Sequence, residues 1–385
     1  MIAAALLLAL SVIAIGAIWL GYPALMLLWA RVRPQPVMSQ LPTEVASWPQ
    51  ITAVLATRDA APIIRARVAN LLDTDWPAER LDVVVTLDAE GSACTPADLE
   101  GTFARSDGTP AANVRVVNGD APGGKACALN AAVRVARGTL LVMADSRQRF
   151  ERDTIPQLAA ALQDHRFGAA SGALTLGGDG RSPVHRYWAL EKQLRYAESL
   201  VHSSIGVTGA VYAVRRALWP TLPPGTILDD VYVPMALVLA GHRIGFVPDA
   251  VATDVRDFDA TAEQGRKART LTGVVQLCRL LPDVLSLSRN PVWARFVAHK
   301  LLRLTTPVWA LLGAVSGTWL LMLLLQQFPV ATLTVLGVAL AIVMLVPPLR
   351  RLTLAVMRWG VAMQVATVKG VLNGVRGRWA VWSAR

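Results

Sequence analysis

Asp59, Asp88 and Asp145 each stand within two residues of the end of a short apolar run. A carboxylate in that position can contact a nucleotide, hold a divalent cation or cap a loop. One such residue is as readily a cap as a ligand; three in one chain are harder to assign to loops, though they specify no single reaction. Asp229 and Asp230 open an apolar helical stretch running to Leu239. Adjacent acids there either cap the helix or place a base beside an acceptor, and on pattern alone capping is the simpler reading. Lys125 follows Gly123 and Gly124. This resembles a P-loop only superficially, because the upstream glycine and the following Ser or Thr are missing, and no GxGxxG run follows the first strand. Both a P-loop hydrolase and a dinucleotide oxidoreductase lose ground. Gly206, Thr208 and Gly209 form a segment whose glycines permit close approach of backbone to ligand, or serve turn and strand packing.

These residues need elements to hold them. Residues 51–56, 81–87, 113–117 and 139–143 read as strands, apolar almost throughout, and residues 60–72 and 125–137 as helices, the second ended by Gly138. Continuous apolar strands suit a sheet covered on both faces, and strand–helix alternation suits parallel pairing. Ligands then bind beyond the carboxyl ends of the strands, where Thr57, Asp59, Asp88 and Asp145 fall. Further on, residues 170–176 read as a strand, 187–200 as a helix, 206–213 as a glycine-containing strand and 271–284 as a helix with an apolar face.

The chain has 385 residues, 54% of them hydrophobic, and a formal net charge of +11. Residues 2–29 carry no charge and are long enough for a ~30 Å hydrocarbon core; they read as a retained anchor, since the positive start of a signal peptide is absent. Residues 304–325 and 330–348 read as two further spans, broken at Gln326, Gln327 and Pro329. Arg31, Arg33, Arg350 and Arg351 flank these segments, which places their ends in the cytosol and accounts for the charge without nucleic acid. Residues 352–373 read as an interfacial helix or a third span, and the tail with Trp379 and Trp382 as headgroup contact. Cys94, Cys127 and Cys278 show no paired spacing and give neither a disulfide framework nor a zinc knuckle.

Taken together, the motifs resemble the membrane-bound, processive-type members of glycosyltransferase family 2, the group that includes cellulose and hyaluronan synthases. The match is carried by Val54–Asp59, Val83–Asp88, Gly124-Lys125-Ala126 with Leu129-Asn130, Asp145, Gly206–Ala213, Leu228-Asp229-Asp230 and Arg266–Thr270. The resemblance implies a GT-A-like, Rossmann-related α/β domain, its mixed and mostly parallel sheet covered by helices on both faces, plus transmembrane helices. It implies nucleotide-sugar binding by Thr57, Asp59, Asp88, Lys125, Asp145, Arg266 and Arg269. It implies a divalent cation, Mg²⁺ or Mn²⁺, on Asp145, an acceptor lined by Gly206, Thr208, Gly209 and Asp229, and Asp230 as general base. Three motifs depart from the family. The second DxD aspartate is Arg147; the threonine and glutamate of TED are Leu228 and Asp229; and QxxRW reads Arg266 to Thr270, without its tryptophan. That last change puts a channel-threaded polysaccharide in doubt.

The resemblance therefore implies an inverting transferase in the bacterial inner membrane, its catalytic domain in the cytosol. It would move a sugar from a nucleotide-diphosphate sugar to a lipid-linked or polysaccharide acceptor beside the bilayer, with export or synthesis partner subunits. A catalytically impaired scaffold subunit and a nucleotidyltransferase-like enzyme are the rival readings. The expected divisions are an anchor at 1–30, a linker at 31–49, a catalytic domain at 50–270, interfacial helices at 271–300, two spans within 301–348, and an interfacial or third membrane segment with a basic tail at 349–385.

Overall fold

A computed structural model describes residues 1–38, 40–101, 103–177, 183–254 and 260–379, so Trp382 lies outside the described residues. The chain divides into two compact units: Leu25–Phe258 with Gln276–Ala294, and Met1–Ala24 with Asp259–Val275 and Arg295–Arg385.

The first unit is built on one sheet of eight strands: β1 (Ile51–Thr57), β2 (Leu81–Leu87), β3 (Val114–Asn118), β4 (Leu140–Ala144), β5 (Gln148–Phe150), β6 (Phe167–Leu176), β7 (Val211–Arg215) and β8 (Arg243–Asp254). Their spatial order is β3-β2-β1-β4-β7-β6-β8-β5. The half from β3 to β4 is parallel, as expected from its strands; β2 and β4 are buried along their whole length. Ile51, Leu55, Val83 and Val85 meet Ile64, Val68, Leu71 and Leu72 of the helix Ala61–Leu72 in the core. Each such side chain contributes roughly 1.5–3 kcal/mol when fully buried.

The direction changes at β7, which runs antiparallel to both β4 and β6. Ala144 at the end of β4 pairs with Val211 at the start of β7, so the residues just before β7 arrive at the same end of the sheet as Asp145. Residues 206–210 form an approach to the strand, not the strand itself, which begins at Val211. Three elements gave no clear periodic signal: β5, the helix Thr154–Ala161, and β8. β8 contains Gly245 and Pro248 and pairs with β6 through two register shifts, which breaks the alternation a strand normally shows.

Gly138 does not end a helix. The helix Lys125–Val135 stops earlier, with Ala136 already extended. Gly138 instead lies where the chain crosses β1, and a Cβ there would sit 2.4 Å from the Thr52 nitrogen.

In the second unit the helix Ile2–Val32, with a wider turn at Ala17–Gly21, and the helix Thr306–Gln327 are long and apolar enough to cross a membrane. They pack through small residues: a Cβ on Gly313 would stand 3.3 Å from that of Ser11. Trp19 donates its indole N–H to Thr306 at 3.2 Å, and the Arg303 guanidinium lies 4.7 Å over the Trp19 ring. The expected break at Gln327 and Pro329 is present, but the next helix, Pro329–Leu345, is short. It bends by 100° into Pro347–Val375, and the pair adds a third candidate span if it crosses as one broken element. The expected division at 270/271 is not kept, because one helix, Ala260–Leu280, runs through it. Its last turns belong to the sheet unit, where the Gln276 side chain accepts the Ile227 N–H at 2.9 Å and donates to the Gly225 carbonyl at 3.0 Å.

Gly138→Ala is expected to destabilise the sheet unit by roughly 1–3 kcal/mol, because backbone atoms must move to admit the methyl group. A lowered thermal midpoint of the detergent-purified chain checks this; an unchanged midpoint would show that β1 yields freely.

Candidate active site

The carboxyl ends of β1, β2 and β4 present Thr57, Asp88 and Asp145 on one side of the sheet. Asp88 follows β2 directly, with its side chain only 5% exposed. One oxygen accepts the backbone N–H groups of Glu90 at 3.0 Å and Gly124 at 2.8 Å; the other accepts Arg58 Nε at 2.7 Å. Burial opposes ionisation, yet Arg58 and the two backbone N–H groups hold the carboxyl below its ordinary range. Gly123 and Gly124 both have positive φ, +92° and +89°, and a Cβ on Gly123 would lie 2.9 Å from Glu90 Cγ. Glycine at this pair lets the chain turn tightly enough to aim the Gly124 N–H at Asp88 and then start the helix at Lys125.

Lys125 is the centre of the site. Its ammonium lies 3.1 Å from Asp145 Oδ1 and 3.3 Å from Asp229 Oδ2. Burial alone would lower its pKa, but Asp145, Asp229 and Asp230 together raise it well above the ordinary value, so it remains charged. Asp229 does not cap its helix; it is buried and turned onto Lys125. Gly206 and Gly209 lie against Asp230: Val207 donates its N–H to the Asp230 carbonyl at 2.9 Å, and a Cβ on Gly209 would stand 3.3 Å from Asp230 Cβ. Asp88, Lys125, Asp145, Asp229 and Asp230 are thus brought together.

Other residues are placed differently from the sequence expectation. Both oxygens of Asp59 are engaged within the chain: Oδ1 accepts Arg147 at 2.8 Å, and Oδ2 accepts the hydroxyls of Ser146 and, at 3.4 Å, Thr57. The guanidinium at the second DxD position therefore belongs to an ion pair with the end of β1, and Asp59 is drawn below its ordinary pKa despite burial, chiefly by Arg147 and Ser146. The Thr208 hydroxyl is likewise taken up, donating to the Gly172 carbonyl at 3.0 Å and accepting from Arg195 at 3.1 Å. Asn130 is a clamp: its side chain bonds Trp219 and both backbone groups of Leu222. Arg266 and Arg269 lie on the helix Ala260–Leu280, in the stretch assigned to the other unit.

Two residues escaped the sequence reading. Arg67 is fully buried; its Nε donates to the Asp145 carbonyl at 2.9 Å, its guanidinium lies 4.1 Å over the Phe150 ring, and it also donates to Asn70. Burial in an apolar setting, with Arg149 nearby, lowers its pKa to about 9. The signal was an arginine on the same helical stripe as Ile64, Val68 and Leu71. Tyr212, on β7, keeps its hydroxyl buried with no hydrogen-bond partner among the described residues; burial and the charges of Asp229, Asp230 and Asp145 raise its pKa.

Among the described residues no cluster of three or more His, Cys, Asp or Glu forms a ready metal site. Asp145 is 38% exposed and keeps room for further contacts. This set suits an ion that uses one protein carboxylate and takes its remaining oxygens from substrate phosphates and water.

A family-wide profile described as Glycosyltransferase like family 2 matches residues 49–279, which covers the sheet and every residue of this cluster. The chain belongs to glycosyltransferase family 2. Among curated family 2 relatives, an N-acetylglucosaminyltransferase of Rhizobium meliloti (strain 1021) is 24% identical over 61% of this chain and 58% of its own length. One of Mesorhizobium japonicum is 27% identical over 57% and 54%. The chain thus spans a little over half the length of these relatives. Among solved structures, a mannosyltransferase from Pyrobaculum calidifontis, solved with GDP-Man and Mn²⁺, is 23% identical and superimposes with a TM-score of 0.68 over 97% of this chain and 99% of its own. The GT-A-like fold expected from the family motifs is therefore the fold of this chain.

Asp59 and Asp88 both titrate below the ordinary carboxylate value of 3.8. Their stabilising contribution is present above that value and is lost as pH falls through their lower folded pKa values. The thermal midpoint of the wild-type chain is expected to fall on acidification below about pH 4, and that of Asp59→Asn to start lower and fall less steeply. Parallel curves between pH 6 and pH 2 would remove Asp59 from this linkage.

Proposed function

We propose that the chain is an inverting glycosyltransferase. It moves a sugar from a nucleotide-diphosphate sugar onto an acceptor, lipid-linked or polysaccharide, close to a membrane. The observation that carries this reading is the single ammonium of Lys125, set between Asp145 and Asp229 with Asp230 alongside, at the ligand-binding end of the sheet. A donor phosphate reaching this point meets a cation; an acceptor reaching Asp230 meets a base.

In this reading Asp88, held by Arg58 and Gly124, contacts the nucleoside, while Thr57 and Asp59 act through the ordered end of β1 and through Arg147. The acceptor hydroxyl attacks the anomeric carbon as the bond to the diphosphate oxygen breaks. Asp230 accepts the hydroxyl proton, so no covalent enzyme intermediate is needed. Lys125 faces the charge that develops on the departing diphosphate. Arg266 and Arg269 are assigned to the same diphosphate on sequence grounds. A divalent cation, Mg²⁺ or Mn²⁺, would be held by Asp145 and supply further charge neutralisation to the leaving group; the Pyrobaculum mannosyltransferase, solved with Mn²⁺, supports this. Gly206 and Gly209 keep the acceptor side of Asp230 clear of side chains. The two span-length helices support a multi-pass location in a bacterial inner membrane, with the sheet unit in the cytosol.

Purified chain in detergent is expected to turn over a nucleotide-sugar donor, with UDP-N-acetylglucosamine and GDP-mannose as the first two to screen, and to do so better with Mg²⁺ or Mn²⁺. Asp230→Asn is expected to lower kcat by about 10²–10⁴-fold while nucleotide affinity stays within twofold. Absence of turnover with every donor, with either ion, would point to a scaffold subunit instead. Unchanged turnover in Asp230→Asn would remove that residue as the base.

A further inference from the structure

The helix Pro183–Val201 carries Trp188, Lys192 and Arg195 at spacings of four and three, which puts them on one face. With Leu174 of β6, Phe246 of β8 and Thr208, they line a small pocket in the sheet unit. The composition of this pocket is unusual. Lys192 and Arg195 are half-buried, yet among the described residues neither pairs with a carboxylate; the one bond Arg195 makes is to the neutral Thr208 hydroxyl at 3.1 Å. The indole N–H of Trp188 is buried with no acceptor. The Arg195 guanidinium stands 6.0 Å from the Trp188 ring, so these donors are grouped.

Two cations and a buried N–H, none offered a carboxylate, form a donor set lacking its acceptor. A buried donor without an acceptor costs roughly 1–3 kcal/mol, which an arriving anion relieves. The location gives the anion its role. Thr208, which fixes Arg195, belongs to the four-residue segment whose Val207 and Gly209 lie against Asp230. Resting on the transferase reading above, we infer that this pocket binds an anionic group, a phosphate by the geometry of its donors, carried by the acceptor substrate. Apolar Leu174 and Phe246 beside the cations suit a phosphate attached to a hydrocarbon chain, so the acceptor class is a lipid phosphate.

Calorimetry on the full chain in a neutral detergent tests this with decyl phosphate as the probe, and with decyl glucoside and inorganic phosphate as comparators. Decyl phosphate is expected to bind tightest. Its affinity should fall about tenfold or more in Lys192→Gln/Arg195→Gln, and by a smaller factor in Lys192→Gln alone, which guards against misfolding of the double variant. Lys192→Arg should retain binding, and nucleotide affinity should stay within twofold throughout. Equal affinity of the double variant and the wild type for decyl phosphate would overturn the assignment, as would equal binding of decyl glucoside. Inorganic phosphate binding as tightly as decyl phosphate would make this a free-phosphate site and overturn the acceptor role. Charge-dependent binding of decyl phosphate together with no turnover of any donor would sink the transferase reading while leaving the anion site in place.

Discussion

Three carboxylates from separate parts of the chain converge on one ammonium. Asp145 comes from the end of β4, Asp229 and Asp230 from the start of a helix more than eighty residues later, and Lys125 from the first turn of another helix. Like charges this close repel, and in a partly buried setting the repulsion is not screened by water. Lys125 offsets it and keeps its own charge by doing so. The arrangement fixes the distance between the donor and acceptor sides of the cleft, because the groups proposed for each side share a partner. Much of the surrounding structure keeps those groups in place. The glycine pair before Lys125 orients its helix through Asp88, Arg67 grips the Asp145 carbonyl from below, and Gly206 and Gly209 let the next segment close onto Asp230.

Much of the parallel half of this fold was legible in the residues. β1, β2 and β4 are buried on both faces, so their sequences are apolar without alternation, and polar residues at their ends stand out. The site was legible to the same extent: Asp88, Asp145 and Lys125 sit at such ends or just after a glycine turn. What could not be read was pairing over long separations. Nothing local says that Arg147 finds Asp59, 88 residues away, or that Asp229 faces Lys125 instead of its own helix end. β8 was hidden for a different reason, since Gly245, Pro248 and two register shifts erase the period of two on which strand recognition depends.

Arg147 shows how one substitution rearranges roles. An aspartate at this position would add a second carboxylate beside Asp145. The arginine instead binds Asp59 and ties the loop after β4 to the end of β1. With Arg67 holding the Asp145 carbonyl and Asn70 bonded to both backbone groups of Phe150, the whole stretch from Asp145 to Phe150 is fastened to its neighbours. The loop loses an ion ligand and gains rigidity. Asp145, the carboxylate left to meet an ion, is thereby presented in a fixed position, and a preorganised ligand loses less entropy on binding than a mobile one.

The reversal of strand direction at β7 makes the site possible. In a wholly parallel sheet the segment before β7 would enter at the amino ends of the strands, far from Asp88 and Asp145. Because β7 runs against β4, with Val211 opposite Ala144, residues 206–210 enter at the carboxyl ends. The Asp230 carbonyl then binds Val207, which seats the helix start carrying Asp229 and Asp230 at that same end. The parallel half thus supplies the groups suited to a nucleotide, and the antiparallel half those suited to an acceptor. Lys125 can reach both only because one strand turned round between them.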